Sequence, residues 1–454
     1  MFKRKIYQVM KEWKESSAGK TALLIEGARR VGKSTVAEKF AKNEYDTYIL
    51  IDFATASSSV KALFDDMSDL NYFFLQLQLQ YHTELKVGKS AIIFDEVQLC
   101  PKARQAIKAL VKDGRYHYIE TGSLISIKKN VKDILIPSEE RKIQMHPMDY
   151  EEFLWALNDT STMDLLKAVF DAKKPFGDQL NRKLMRDFRL YMLVGGMPQA
   201  VNEFITTNNF KSVDDVKRDI INLYEDDFRK IDSTGRLALL FEAIPSQLNK
   251  NTKGFQTKNV LNSYKTKDTT ILSLISELKD SKAVSVAYHA NNPGVGLSAY
   301  KDLNQFKLYM ADTGLFVTLQ FKDKDFTDNI IYEKLLSDKL SANLGYLYEN
   351  VVAQILTATG NDLFYYTFYQ QEQKRNYEID FIISKRNKIC PIEVKSSQYR
   401  THASIDKFYN KFSERIGKRY IIHTKDMSKD QDILCLPVYM TQFISQKEND
   451  EKKQ

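Results

Sequence analysis

The sequence predicts an α/β protein of several domains, and three observations carry that reading. Residues 27–34, Gly-Ala-Arg-Arg-Val-Gly-Lys-Ser, form a G-x-x-x-x-G-K-[ST] loop between a strand-like run at 21–26 and a helix-forming run at 35–40. Residues 91–96, Ala-Ile-Ile-Phe-Asp-Glu, read as an apolar strand that ends in two acids, where a parallel sheet presents side chains to its ligand crevice. Between 341 and 440 the patterns run helix, three strands, helix, strand. At 454 residues the chain exceeds what one hydrophobic core organises.

The loop residues are Gly27, Ala28, Arg29, Arg30, Val31, Gly32, Lys33 and Ser34, with Thr35 opening the helix. Glycines let the backbone curl until its N–H groups point at phosphate oxygens, and the helix offers the positive end of its dipole to the same anion. Lys33 is then expected to reach the β/γ-phosphates of ATP and Ser34 to ligate Mg²⁺. Asp95 is expected to support the Mg²⁺ shell, and Glu96 to polarise the attacking water as general base. A further strand at 116–120 runs into Thr121-Gly122-Ser123, whose hydroxyls stand where a sensor of the γ-phosphate is expected.

Composition narrows the class. Lys plus Arg outnumber Asp plus Glu by 67 to 59, a net charge of +8, which leans toward polyanionic partners. Cys100, Cys390 and Cys435 are odd in number and far apart, so they define neither a disulfide framework nor a zinc site. The amino terminus has charge but no apolar run behind it, and no segment approaches the ~18 apolar residues of a membrane span. A soluble, cytoplasmic protein is expected.

Several segments together resemble the prokaryotic AAA-type ATPases that carry a carboxyl-terminal domain of the restriction-endonuclease-like fold. They are the phosphate loop, Asp95-Glu96-Val97-Gln98, the 118–123 run, and 191–198 (Tyr-Met-Leu-Val-Gly-Gly-Met-Pro). Lys307 to Leu315 (Lys-Leu-Tyr-Met-Ala-Asp-Thr-Gly-Leu), Glu378-Ile379-Asp380-Phe381 and 391–397 (Pro-Ile-Glu-Val-Lys-Ser-Ser) complete the set. The resemblance implies an AAA-type core over 1–146, a helical lid over 147–232, a winged helix over 233–318 and a restriction-endonuclease-like domain over 319–440. A charged, disordered tail is expected over 441–454.

The resemblance also implies roles for single residues. Arg141 immediately precedes the strand-like run 142–145, where AAA-type proteins commonly place an arginine finger, acting across a subunit interface or within one chain. The family pattern has Gly before this Arg whereas this chain has Glu140, which leaves a plain surface salt bridge as the other reading. Gly196-Met197-Pro198 resembles a lid element in which Pro198 touches the nucleotide base; a helix-ending turn is the alternative.

Residues 233–318 read as three helices, starting at Arg236, Thr257 and Asp268, followed by a hairpin, the pattern of a winged helix. Lys265, Lys267 and Lys279 flank the third helix and suit phosphate contacts with DNA. In the last domain Asp380, Glu393 and Lys395 fit the Asp and Glu-x-Lys of the restriction-endonuclease-like fold. Strand alternation puts Glu393 and Lys395 on one face. Asp380 and Glu393 are expected to hold Mg²⁺ between them, with Glu349 on the preceding helix matching the family's additional acidic position, and Lys395 positioning a water or offsetting phosphate charge.

Three functions follow from these readings. The chain is expected to be an ATPase acting as a nucleotide-driven switch that binds DNA, with self-association possible. The alternatives are an ATP-gated, Mg²⁺-dependent nuclease using Asp380, Glu393 and Lys395, and an ATP-dependent protein-interaction module whose nuclease-like domain is inactive.

Overall fold

Alternation of apolar strands with helix-forming runs in the first 150 residues folds as such alternation must, into a parallel sheet with helices against it. The computed structural model describes residues 1–122, 138–249, 254–261, 268–322, 335–337, 345–371, 374–396 and 401–445. It divides into two units, one formed by 1–146 with 280–282 and the other by 147–279 with 283–454. Among the described residues no helix is long and apolar enough to cross a membrane.

The first unit contains β1 (Ala22–Glu26), β2 (Thr47–Asp52), β3 (Ser90–Asp95), β4 (His117–Gly122) and β5 (Glu140–Gln144) in the order β2-β3-β4-β1-β5. Every pairing is parallel. Ala22, Leu24, Ile92, Phe94 and Tyr118 on one face pack into an apolar cluster with Ala103, Ile107 and Leu110 of the helix Pro101–Asp113. The same helix holds Arg104, whose guanidinium donates to both oxygens of Glu140 at 2.9 Å with both side chains almost fully covered. This buried pair anchors the start of β5, so the strand begins two residues earlier than 142 and contains Arg141 instead of following it.

In the second unit, among the described residues, seven helices between Tyr150 and Asn249 precede the strands. These strands are β6 (Val284–Ala290), β7 (Lys301–Met310), β8 (Leu363–Gln370), β9 (Arg375–Lys385), β10 (Lys388–Val394), β11 (Arg419–His423), β12 (Ser428–Asp430) and β13 (Ile433–Pro437). They make one eight-stranded sheet in the order β12-β13-β11-β10-β9-β8-β6-β7. The expected helix, three strands, helix, strand are Gly345–Ala358, β8 to β10, Ala403–Phe412 and β11, with β12 and β13 added beyond.

Three boundaries move. The β6-β7 hairpin does follow helices Arg236–Glu242, Thr257–Val260 and Asp268–Asp280, but β6 also pairs in parallel with β8, so the wing strands belong to the larger sheet. The helix Thr313–Gln320 runs straight across the expected 318/319 boundary. The tail does not begin at 441: Thr441–Ile444 is a short helix with all four residues buried, because Phe443 and Ile444 are core side chains. Lys265, Lys267 and residues 446–454 lie outside the described residues.

Candidate functional sites

In the first unit the phosphate loop leaves the carboxyl end of β1. Gly27 sits so close to β5's exit that a Cβ there would lie 2.3 Å from the Met145 carbonyl oxygen, which excludes any larger residue. Gly32 takes φ +98°, the left-handed conformation that glycine adopts at least cost, and caps the helix Lys33–Glu44. Arg4, read from the sequence only as terminal charge, donates to the Val31 carbonyl at 2.9 Å and to that of His146 at 2.6 Å and so braces the loop from outside. Arg29, Arg30 and Thr35 are exposed, whereas Ala28 and Val31 are buried.

Lys33 is buried and donates to the carbonyls of Gly27 at 3.0 Å and Ala28 at 2.9 Å. Burial pulls its ammonium down to about 8, against the opposing pull of Glu96 and Asp95. Strand β4 lies between β1 and β3, so Thr121 at its end meets Asp95 at the end of β3. One carboxylate oxygen of Asp95, Oδ1, accepts from the Ser34 hydroxyl at 2.7 Å and from Thr121 Oγ1. Serine hydroxyl and carboxylate thus sit side by side, a hard-oxygen pair that fits Mg²⁺. Glu96 takes the left-handed conformation (φ 53°), and its carboxylate accepts from Gln98 Nε2. Thr121 lies on β4, which extends past the expected end at 120; Ser123 lies outside the described residues.

Arg141 is placed differently. It pairs with Leu23, four residues before Gly27 on the neighbouring strand, and its guanidinium donates to the hydroxyls of Ser16 (3.3 Å) and Ser17 (3.2 Å). This is the amino-terminal part of the sheet, whereas the phosphate loop leaves the carboxyl end of β1.

The second unit carries two features. Pro198 is the first residue of the helix Pro198–Thr207, after a Gly195-Gly196 corner that a side chain would destroy: a Cβ on Gly196 would stand 2.0 Å from the Met148 carbonyl oxygen. Asp312, fully covered, accepts from Gly196 N at 2.6 Å and from Leu315 N at 2.9 Å. The two motifs 191–198 and 307–315 are therefore one clamp. Gln354 accepts from Thr313 N at 2.9 Å and donates to Tyr191 Oη at 2.9 Å, and Asn350 accepts from Met310 N at 2.9 Å, all buried.

The other feature is a cavity of about 770 Å³ whose lining includes Glu349, Arg375, Tyr377, Glu378, Asp380, Glu393 and Lys395. Glu378 and Asp380 lie two apart on β9 and so share a face, toward which the helix Gly345–Ala358 brings Glu349. Carboxylate oxygens of Glu349, Glu378 and Asp380 lie within 4.8 Å of one another. Glu393 is not in that triplet: its Oε1 pairs with Lys395 Nζ at 2.5 Å, and its Oε2 has no hydrogen-bond partner among the described residues. The carboxylates that approach one another are thus Glu349, Glu378 and Asp380, whereas Glu393 engages Lys395, one residue beyond the end of β10. Three hard oxygens at this separation fit a divalent cation such as Mg²⁺ or Mn²⁺. Burial and the neighbouring acids push the Asp380 carboxyl well above the usual carboxylate range, and burial also raises Glu378.

Two residues that sequence reasoning passed over complete this site. Lys307 Nζ reaches Glu349 Oε1 at 3.0 Å and Glu378 Oε1 at 2.5 Å, and Tyr309 donates to Glu349 Oε1. Both lie on β7, two residues apart and on one face. Alternation along 307–309 was a usable signal for Lys307 and Tyr309, as it was for Glu378, but nothing local says that β7 faces the acids of β9.

These arrangements define, in the first unit, a nucleoside-triphosphate site of the phosphate-loop class. Comparison with family models agrees: residues 19–154 match a model described as an AAA domain. That match makes the unit similar to AAA-type ATPases and supports nucleotide binding and ATP hydrolysis in general. Residues 185–325 and 344–440 match two models, each described as a domain of unknown function (DUF8612 and DUF4143). The first of these runs across the expected lid and winged-helix boundary at 232/233. Comparison with curated proteins gives no match.

Among solved structures, the Walker-type ATPase PABY2304 of Pyrococcus abyssi is 17% identical with a TM-score of 0.43, covering 70% of this chain and 96% of that one. Cdc6p from Pyrobaculum aerophilum is 12% identical at a TM-score of 0.22, covering 74% and 93%. Drosophila ORC bound to DNA is 13% identical at 0.27, covering 74% and 96%. Likeness at these TM-scores is too weak to transfer fold or function.

Proposed function

We propose that the chain is a Mg²⁺-dependent ATPase that works as a nucleotide-driven switch on a DNA-binding carboxyl-terminal domain of the restriction-endonuclease-like fold. The observation that carries the ATPase reading is the convergence of Ser34 and Thr121 on Asp95 Oδ1 beside the buried Lys33. Lys33 exchanges the carbonyls of Gly27 and Ala28 for phosphate oxygens, and Ser34 with Asp95 holds Mg²⁺, which when bound offsets charge on the phosphates. Glu96 accepts a proton from the attacking water. Ser123 assists Thr121 as sensor, Pro198 serves as the lid's nucleotide contact, and Arg141 acts on a second copy's nucleotide. The DNA part rests on the net charge of +8 and on Arg375 and Lys395 in the cavity lining.

One observation favours a second reading, a Mg²⁺-dependent nuclease gated by ATP: the triplet Glu349, Glu378 and Asp380 beside Glu393 and Lys395. In this reading the triplet holds the metal, which supplies an activated water, and Lys395 offsets charge on the attacked phosphate. The test is incubation of the full chain with plasmid and with single-stranded DNA, with Mg²⁺ or Mn²⁺, with and without ATP, beside Asp380→Ala. Retention of DNA without cleavage supports the switch; ATP-dependent nicking lost in Asp380→Ala supports the nuclease. Neither retention nor cleavage leaves the interaction module.

A further inference from the structure

The acidic triplet is already partnered by a cation that belongs to the chain. Lys307 is 6% exposed, so its ammonium is removed from water, and both of its acidic contacts, Glu349 and Glu378, are in the triplet. A buried ammonium is costly unless hydrogen bonds or opposite charge replace its hydration, and three carboxylates this close repel one another unless a cation stands among them. Each requirement answers the other. The phenol of Tyr309 adds a hydrogen bond to the same oxygen of Glu349 that Lys307 contacts. Also lining the cavity, Glu393 is 3% exposed and keeps an oxygen with no hydrogen-bond partner among the described residues, so the lining retains ligand capacity that Lys307 does not use.

We infer that Lys307 is a built-in competitor of the divalent cation at the cavity, occupying the carboxylates of Glu349 and Glu378 until a metal displaces it. Metal affinity is then set by β7, a strand outside the Asp and Glu-x-Lys motif, and in the metal-free form Lys307 offsets part of the triplet's acidic charge. An unopposed acidic triplet would bind Mg²⁺ or Mn²⁺ readily at any time. With Lys307 present, the ion must also relocate an ammonium, which lowers its affinity and makes loading depend on whatever else draws Lys307 away, a phosphodiester among the candidates by charge. The inference rests on the acidic-cavity reading above but not on DNA cleavage.

The experiment is Mn²⁺ binding to the full chain, followed by calorimetry with nucleotide and DNA absent, for the native sequence, Lys307→Gln and Lys307→Arg. Lys307→Gln is expected to bind Mn²⁺ at least about tenfold more tightly than the native chain, the direction and order that loss of one contacting charge gives, while Lys307→Arg stays near native. Equal or weaker binding in Lys307→Gln, or no binding in either chain, overturns the inference. Should Lys307→Gln fail to fold, acylation of Lys307 in the native chain is followed by mass spectrometry: Mn²⁺ is expected to raise its labelling several-fold, and unchanged labelling overturns the inference. A chain that binds Mn²⁺ as expected yet cuts no DNA separates this inference from the nuclease reading.

Discussion

Two buried lysines, Lys33 of the first unit and Lys307 of the second, meet nearby acids in opposite ways. Lys33 donates to main-chain carbonyls of Gly27 and Ala28, with Asp95 and Glu96 near but not bonded to it, and its ammonium is weakened to about 8. Lys307 donates to two carboxylates directly, and Glu349, Glu378 and Asp380 hold its ammonium well above the usual lysine value despite burial. A cation resting on carbonyl dipoles loses little when it turns to a phosphate. One locked into carboxylates loses a great deal, so the first lysine is arranged to exchange ligands and the second to balance charge.

The largest expected effect tests the catalytic side of the first unit. Glu96→Gln should lower ATP turnover roughly 10²–10⁴-fold with nucleotide still bound, since the amide cannot take the water's proton; normal hydrolysis in a steady-state phosphate assay would remove Glu96 as base. Next comes the contrast itself. Lys307→Met should destabilise the second unit by about 3–5 kcal/mol, the cost of leaving one side of a buried ion cluster unpaired. Lys33→Met should leave the first unit's stability within about 1 kcal/mol of native, because only carbonyl contacts are lost. Thermal unfolding of both variants measures this, and equal losses would break the comparison. Lys33→Ala should weaken ATP binding roughly 10–100-fold, as one lost charge-assisted contact does; titration with a fluorescent nucleotide reads it.

The smallest effect is in pH. Lys33 has a folded value near 8 against an ordinary 10.5, so the unfolded chain holds the extra proton between them and stability rises with pH across that window. Over the same window ATP affinity should fall, by up to about tenfold per pH unit, as the amine loses its charge. Lys307, raised when folded, gives stability that is fully present below its ordinary 10.5 and lost as pH climbs toward its folded value. Lys217 of the second unit is lowered to about 8 as Lys33 is, so the contributions of Lys33 and Lys307, opposite in sign, are read by comparing each unit's alkaline unfolding with that of Lys33→Met and Lys307→Met.

The features legible in the sequence were the ones that local patterns specify. The phosphate loop reads from spacing alone, and the strands β8 to β11 read from alternation to within one or two residues. What escaped was long-range. A hairpin has the same pattern whether its outer edge is free or paired, so nothing in 284–310 announced the parallel partnership of β6 with β8. For the same reason Lys307 and Tyr309 looked like strand residues of a wing instead of members of a site built by 349, 378 and 380. Arg141 shows the limit in another form: motif position placed it one way, and the Arg104–Glu140 pair, which starts the strand early, placed it another.

The Asp312 clamp has a mechanical meaning. Helix Gly345–Ala358 carries Glu349 into the acidic cavity and, on adjacent turns, Asn350 and Gln354 into the network that reaches Tyr191, Thr313 and the segment next to Gly195-Gly196. To slide that helix against the glycine corner would break several buried hydrogen bonds at once, at about 1–3 kcal/mol for each group left unsatisfied. The corner and the helix therefore travel as one stiff lever. Any motion that reaches Gly196 arrives at Glu349 undamped, and whatever bends in this unit must bend somewhere else.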